Sequence, residues 1–234
     1  MKIYIFLFTF LMGVPSVTFA CITCDRNIQQ GIYNSAFYIN ILSILFPFVV
    51  LGLVVAGLSM LANRKYRIVQ TKYPDQIILN AAPLTAAATI LGIGIGGFID
   101  GIFLHQILQW HEMISNRLPP VNYINKSINM FWDGIFHTGT LIITLIGIIQ
   151  LWKLLPRPDI DRSSRLLVGG MLLGWGLFNL IEGTIDHHIL KLHNVKEITA
   201  NVAGWNIGFL GFSVVLIVVG FWLTRHQSKP AIKT

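Results

Sequence analysis

Apolar residues fall into five long runs, at about 37–62, 80–108, 129–153, 166–189 and 201–224, with the polar residues concentrated between them. Each run is near the roughly 20 residues that an α-helix needs to span a bilayer. Backbone groups in hydrocarbon must bond within their own segment, so the pattern predicts an all-α integral membrane protein. A shorter run opens the chain. Lys2, the apolar stretch Ile3 to Met12, and Thr18-Phe19-Ala20 read as a secretory signal with a small-x-small cleavage site, an uncleaved anchor being the alternative. The expected organisation is a signal over 1–20 and a Cys-x-x-Cys segment, transmembrane helix and loop over 21–77. A four-helix transmembrane domain over 78–228 follows, made of hairpins 80–153 and 166–224, and then a tail over 229–234.

Charge supplies the orientation that hydropathy leaves open. Arg64, Lys65, Arg67 and Lys72 follow the first run, Lys153, Arg157, Arg162 and Arg165 the third, and Arg225, Lys229 and Lys233 the last. Arg26, Arg117, Lys126, Lys191 and Lys196 lie on the other side, eleven against five. Basic loops stay cytoplasmic, which puts the N-terminus outside and the C-terminus inside; in a bacterium this is the inner (cytoplasmic) membrane with a periplasmic N-terminus and a cytoplasmic C-terminus. The net charge of +7 therefore belongs to topology; it points to a lipid bilayer and not to nucleic acid.

With this topology the ionisable residues converge on one face of the membrane. The second run climbs outward to Asp100 and His105, with His111 just beyond. The third returns with Asp133 and His137 in its first turns, and the fourth climbs to Glu182, Asp186, His187 and His188, then His193. Ionisable groups at membrane depth are costly and read as a functional site. Carboxylates and imidazoles on facing bundle helices are the donor set of non-haem metal proteins, and they also suit zinc or copper(II). Asp100, Asp133, His137, Glu182, Asp186, His193 and His111 are the candidate metal ligands. His105 and His187 are candidate cofactor ligands or supporting partners.

An internal likeness orders these residues. Residues 92–113 align with 174–195 without a gap, and eight of the 22 positions are identical. Asp100-Gly101 matches Glu182-Gly183, His105 matches His187, and His111 matches His193, as in parallel membrane repeats. Trp132-Asp133 pairs with Trp205-Asn206 on the returning runs, where His137 faces Leu210. The α-helical period puts Glu182, Asp186 and His193 on one stripe, and Asp100 with His111 on another. Asp133 and His137, four apart, share a face in a spacing that suits two ligands of one metal. The same period turns His105 and His187 more than a quarter-turn away, toward a neighbouring helix or a second site.

Other readings compete. The cluster could be polar residues at the membrane interface, and paired histidines in a bundle could hold haem, although haem needs no carboxylates. Gly92-x-Gly94-x-x-Gly97 has the form of a dinucleotide fingerprint but lies inside an apolar run with no preceding strand; its glycines read as close helix packing. Cys21 and Cys24, the only cysteines, sit in an oxidising compartment, where the pair is a disulfide or a soft-metal site.

The run from Gly96 to His111, GGFIDGIFLHQILQWH, resembles the signature of the bacterial predicted membrane proteins grouped as domain of unknown function 2243, as do Asp133-Gly134-Ile135-Phe136-His137 and Glu182-Gly183-x-x-Asp186-His187-His188. The resemblance spans roughly residues 80–224 and implies a four-helix membrane domain; it brings no established activity. Residues 21–62 are similar to small Cys-containing membrane proteins associated with copper and respiratory-oxidase gene sets. The expected function is a transition-metal site, of copper, zinc or iron, serving metal handling or the respiratory chain, with copper-handling or oxidase proteins as partners. A membrane-embedded metal-dependent hydrolase or oxidase and a haem-bearing electron-transfer subunit are the alternatives.

Overall fold

A computed structural model describes residues 25–73 and 78–225. The expected signal segment and both cysteines, Cys21 and Cys24, lie outside the described residues. The described chain is nearly all helical. Helix α1 (Arg26–Ile32) is followed by α2 (Phe37–Lys72), α3 (Ala82–Ile99), α4 (Tyr123–Leu154), α5 (Ser164–Glu182) and α6 (Val202–Thr224). Helices α3 and α5 each run on without a break into a π-helix, over Asp100–Ile107 and Gly183–Ile189. Among the described residues five helices are long and apolar enough to cross a membrane, which makes this an all-α, multi-pass membrane protein.

The surface and interior are patterned for lipid. Helix α4 exposes Ile142, Leu145, Ile149 and Trp152, while Thr140 is fully buried. Asparagines start the returning helices: Asn122 Oδ1 accepts the Asn125 N–H at 2.9 Å and Asn201 Oδ1 the Gly204 N–H at 2.8 Å. Helices α1 and α2 pack on α4 through Ile28, Ile32, Ile44, Trp132 and Phe136, and Phe178 of α5 joins this core.

Helices α3 and α5 meet backbone to backbone along glycines, where lipid-embedded helices gain most from close packing. A Cβ on Gly92 would run into the carbonyl of Met171, and one on Gly174 into the carbonyl of Thr89. Gly174 follows Gly92 by 82 residues, as Met171 follows Thr89, so each helix presents to the other what it receives. The returning helices obey the same exchange: Gly147 sits on the Leu91 backbone N and Gly220 on that of Leu173. This two-fold arrangement sets the continuations of α3 and α5 side by side at one end of the bundle.

Candidate metal centre

The π-helices decide which side chains face inward. Hydrogen bonds that run from i to i+5 stack residues five apart on one face, where an α-helix would separate them. Asp100 and His105 are five apart, as are Glu182 and His187, and all four are buried. The α-helical period that turned His105 and His187 away is therefore corrected by the altered winding. His105 Nε2 lies 3.1 Å from Asp100 Oδ2, and His187 Nε2 lies 3.3 Å from Glu182 Oε1.

Each π-helix ends in a matched hook. Leu108 N–H bonds to Phe103 O and Trp110 N–H to Leu104 O, at 2.8 and 2.9 Å. In the second hairpin Leu190 N–H bonds to Ile185 O and Leu192 N–H to Asp186 O, both at 2.7 Å. The residue within each hook is left-handed, Gln109 at φ 49° and Lys191 at φ 50°. Neither is glycine or asparagine, so each holds a sparsely populated conformation at a cost of roughly 1 kcal/mol or more. The hooks reverse the chain and set His111 and His193 over the ends of the π-helices.

The result is a buried knot of four imidazoles. The rings of His111 and His193 stack at 4.5 Å with their planes 4° apart. His105 meets His111 edge-on at 4.3 Å, and His187 meets His193 at 4.7 Å. His105, His111 and His193 form one group that could hold a metal ion, and Glu182, His187 and His193 form a second, with His193 common to both. Glu182 Oε1 stands 3.3 Å from His187 Nε2 and 3.5 Å from His193 Nε2. Ligands bound tetrahedrally at 2.0–2.1 Å lie about 3.3 to 3.4 Å apart, so these atoms have the spacing of a shared ion.

Neighbouring groups hold the imidazoles. His111 Nδ1–H donates to Val195 O at 2.8 Å, which leaves its buried Nε2 with a free lone pair. His105 is clamped between carboxylates, its Nδ1 lying 2.9 Å from Asp133 Oδ1 and its Nε2 beside Asp100, so as a ligand it would turn Nε2 from Asp100 to the ion. Asp133 Oδ1 also accepts the Met113 N–H at 2.9 Å, which ties the loop after His111 to α4. Asn206 does the same for the second loop, accepting the Val195 N–H at 3.0 Å. Burial, reinforced by His105, holds His111 down at about 3, and burial holds His193 well below the ordinary imidazole value. Both are therefore neutral at physiological pH, the state in which an imidazole ligates.

The nine bundle positions singled out in the sequence divide clearly. His105, His111, Glu182, His187 and His193 share the two groups. Asp100 and Asp133 flank His105. Asp186 is fully buried at the same end, with neither carboxylate oxygen bonded. His137 stands apart: it is half-buried, packs against Phe98 and Gly101, and belongs to neither group. Its spacing from Asp133 is that of a two-ligand helix face, but Asp133 reaches forward to His105 and the Met113 amide. His188 is exposed.

Sequence reasoning passed over Glu112, Asn179 and Glu197. Burial, then the neighbouring Asp133 charge, raises the Glu112 carboxyl to about 7, and burial also raises that of Glu197, which accepts a short hydrogen bond from Ser115. Their place beside His111 and His193 in the loops was the available signal. Asn179 gave none, because Gly97 occupies the matching position of the first hairpin.

The model of the predicted membrane protein family known as domain of unknown function 2243 matches residues 87–227, which takes in the whole centre. The chain belongs to that family. No curated protein and no solved structure matches it. Helices α1 and α2 precede the matched region, so the family's domain is the four-helix bundle with its centre.

Proposed function

We propose that this family member holds a transition metal ion in the His/carboxylate centre, facing the periplasm from the inner membrane, and that it serves metal handling or the respiratory chain. One observation carries the reading. His111 Nε2 and both polar side-chain atoms of Glu182, Asp186, His187 and His193 are buried with no well-formed hydrogen bond, Glu182 Oε1 standing 3.3 Å from His187 Nε2 and 3.5 Å from His193 Nε2. Each such atom costs roughly 1–3 kcal/mol, and native interiors hold few of them. Clustered donors of this kind make sense when a cation completes them. Of the four buried carboxylates, Asp100 and Asp133 have His105 between them, while Glu182 and Asp186 would gain most from a bound cation.

The donor set of imidazole and carboxylate suits copper(II), zinc or iron. Cys21 and Cys24 would pass copper to or from the centre as a soft-metal pair. The equivalent hooks, π-helices and glycine contacts support descent of the two hairpins from one duplicated unit, with the ion near their two-fold axis. Basic residues cluster at the far end of the bundle, in keeping with a periplasmic centre.

His193 belongs to both groups, so it is the residue to remove. His193→Ala should lose most of the bound metal in protein purified without a polyhistidine tag, while exposed His188→Ala keeps the wild-type content. Equal metal in both variants, measured by elemental mass spectrometry, would refute this assignment. A membrane-embedded metal-dependent hydrolase or oxidase is the second reading, favoured by an apolar cavity that Asp100 helps to line.

A further inference from the structure

We propose that this cavity, of about 500 Å³ between α3, α5 and α6, binds a hydroxylated aromatic molecule dissolved in the bilayer, of the class of lipid-soluble phenols and hydroquinones. The inference rests on the reading of the neighbouring centre as metal-holding, and it deepens that reading by naming what reaches it. The volume is that of a small-molecule site. Trp110, Trp175, Trp205, Phe209 and Phe212 line the cavity, with Asp100 and Asn179 among its lining side chains. Flat aromatic ligands stack well on such rings. Trp205, Gly208 and Phe212 are also exposed on the outside of α6, so the cavity opens sideways, toward lipid. Lys196 Nζ lies 4.7 Å above the Trp110 ring and 5.0 Å above that of Trp205, giving the mouth nearest the loops a charged roof.

Asp100 and Asn179 favour a hydroxyl donor. Asn179 lines the cavity, is 2% exposed, and its Oδ1 has no hydrogen-bond partner. Asp100 lines it too, while one of its oxygens lies 3.1 Å from His105 Nε2. A carboxamide and a carboxylate in the wall of an aromatic slot fit an O–H on a ring. In the first hairpin the matching place is built differently. There Gly97 replaces Asn179, the Thr140 methyl abuts it, and Phe48 of α2 packs on Phe136 at 5.6 Å. A helix from another chain could cover the second opening in the same manner, but its N–H groups are bonded internally and would leave Asn179 unanswered.

The test uses the full chain in detergent, titrated calorimetrically with a decyl-substituted benzohydroquinone and with decylbenzene, and elemental analysis of the same samples. The hydroquinone should bind at least about tenfold more tightly than decylbenzene. A Cβ on Gly208 meets nothing within 4 Å, so Gly208→Leu should fold normally, fill the slot and weaken binding by about tenfold or more, with metal content unchanged. Asn179→Leu should weaken the hydroquinone about five- to tenfold and leave decylbenzene alone. Equal affinity for the two probes would mean that lipid tails fill the cavity, and would overturn the proposal, as would wild-type binding by Gly208→Leu. Normal metal with no hydroquinone binding overturns this proposal alone. Hydroquinone binding by metal-free protein supports the slot and overturns the reading of the centre.

Discussion

Asp133 shows how one carboxylate serves two tasks. Its Oδ1 receives the Met113 N–H and lies 2.9 Å from His105 Nδ1, so the same atom positions a loop and an imidazole. Asn206 performs only the first task in the second hairpin, which shows that a carboxamide suffices for the loop bond. Asp133→Asn should therefore keep the thermal midpoint near that of the wild type and lower metal affinity about 10- to 100-fold, the usual cost of losing a group that orients a ligand. Asp133→Ala should also leave the Met113 amide unpaired, at a cost of about 1–3 kcal/mol that appears as a lower midpoint. Metal titration and a melting curve on both variants separate the roles; identical behaviour would show that the charge has no part in the centre. These residues were visible in the sequence as costly groups at membrane depth, but their partners were not. A donor–acceptor pair such as His111 with Val195 O links residues 84 positions apart through a hook that spacing does not reveal.

Among the elements, the π-helices and the glycine seam do the positioning. The hydropathy pattern gave the five spans, because lipid imposes length and composition directly, but α2 runs on as helix to Lys72, so Arg64, Lys65, Arg67 and Lys72 lie on a helix and not in the expected loop. It gave the inward face of α3 and α5 poorly, because a period of 3.6 residues no longer applies past Asp100 and Gly183. Identity at the 82-residue offset carried the better signal: it matched His105 with His187, one in each group of the centre, and His111 with His193, whose rings stack. The glycines were legible as close-packing positions. Gly174→Ala drives a Cβ into the Thr89 carbonyl, so α3 and α5 must part, and the midpoint should fall by several degrees together with metal content. Gly57→Ala, where a Cβ meets nothing within 4 Å, should be neutral or slightly stabilising. Similar melting of the two variants would remove the seam from the account of how the ligands are brought together.

At the scale of the whole molecule, the basic segments and the histidine knot occupy opposite ends of one bundle, and the proposed orientation follows from that polarity. Cysteines introduced one at a time into a chain whose own pair is replaced by serine test it. A thiol at Arg117 should react with a membrane-impermeant maleimide in intact cells, and one at Arg162 only after lysis; the reverse pattern would turn the centre toward the cytoplasm. The central claim is that imidazoles and carboxylates from two hairpins grip one kind of ion together. X-ray absorption at the metal edge of the protein as isolated, without a tag, tests this most directly. We expect a first shell of nitrogen and oxygen near 2.0–2.1 Å for zinc, with the outer scattering of several imidazole rings. A shell dominated by sulfur near 2.3 Å would place the ion on Cys21 and Cys24, and no edge above that of the buffer would leave the centre without a metal; either result contradicts the account.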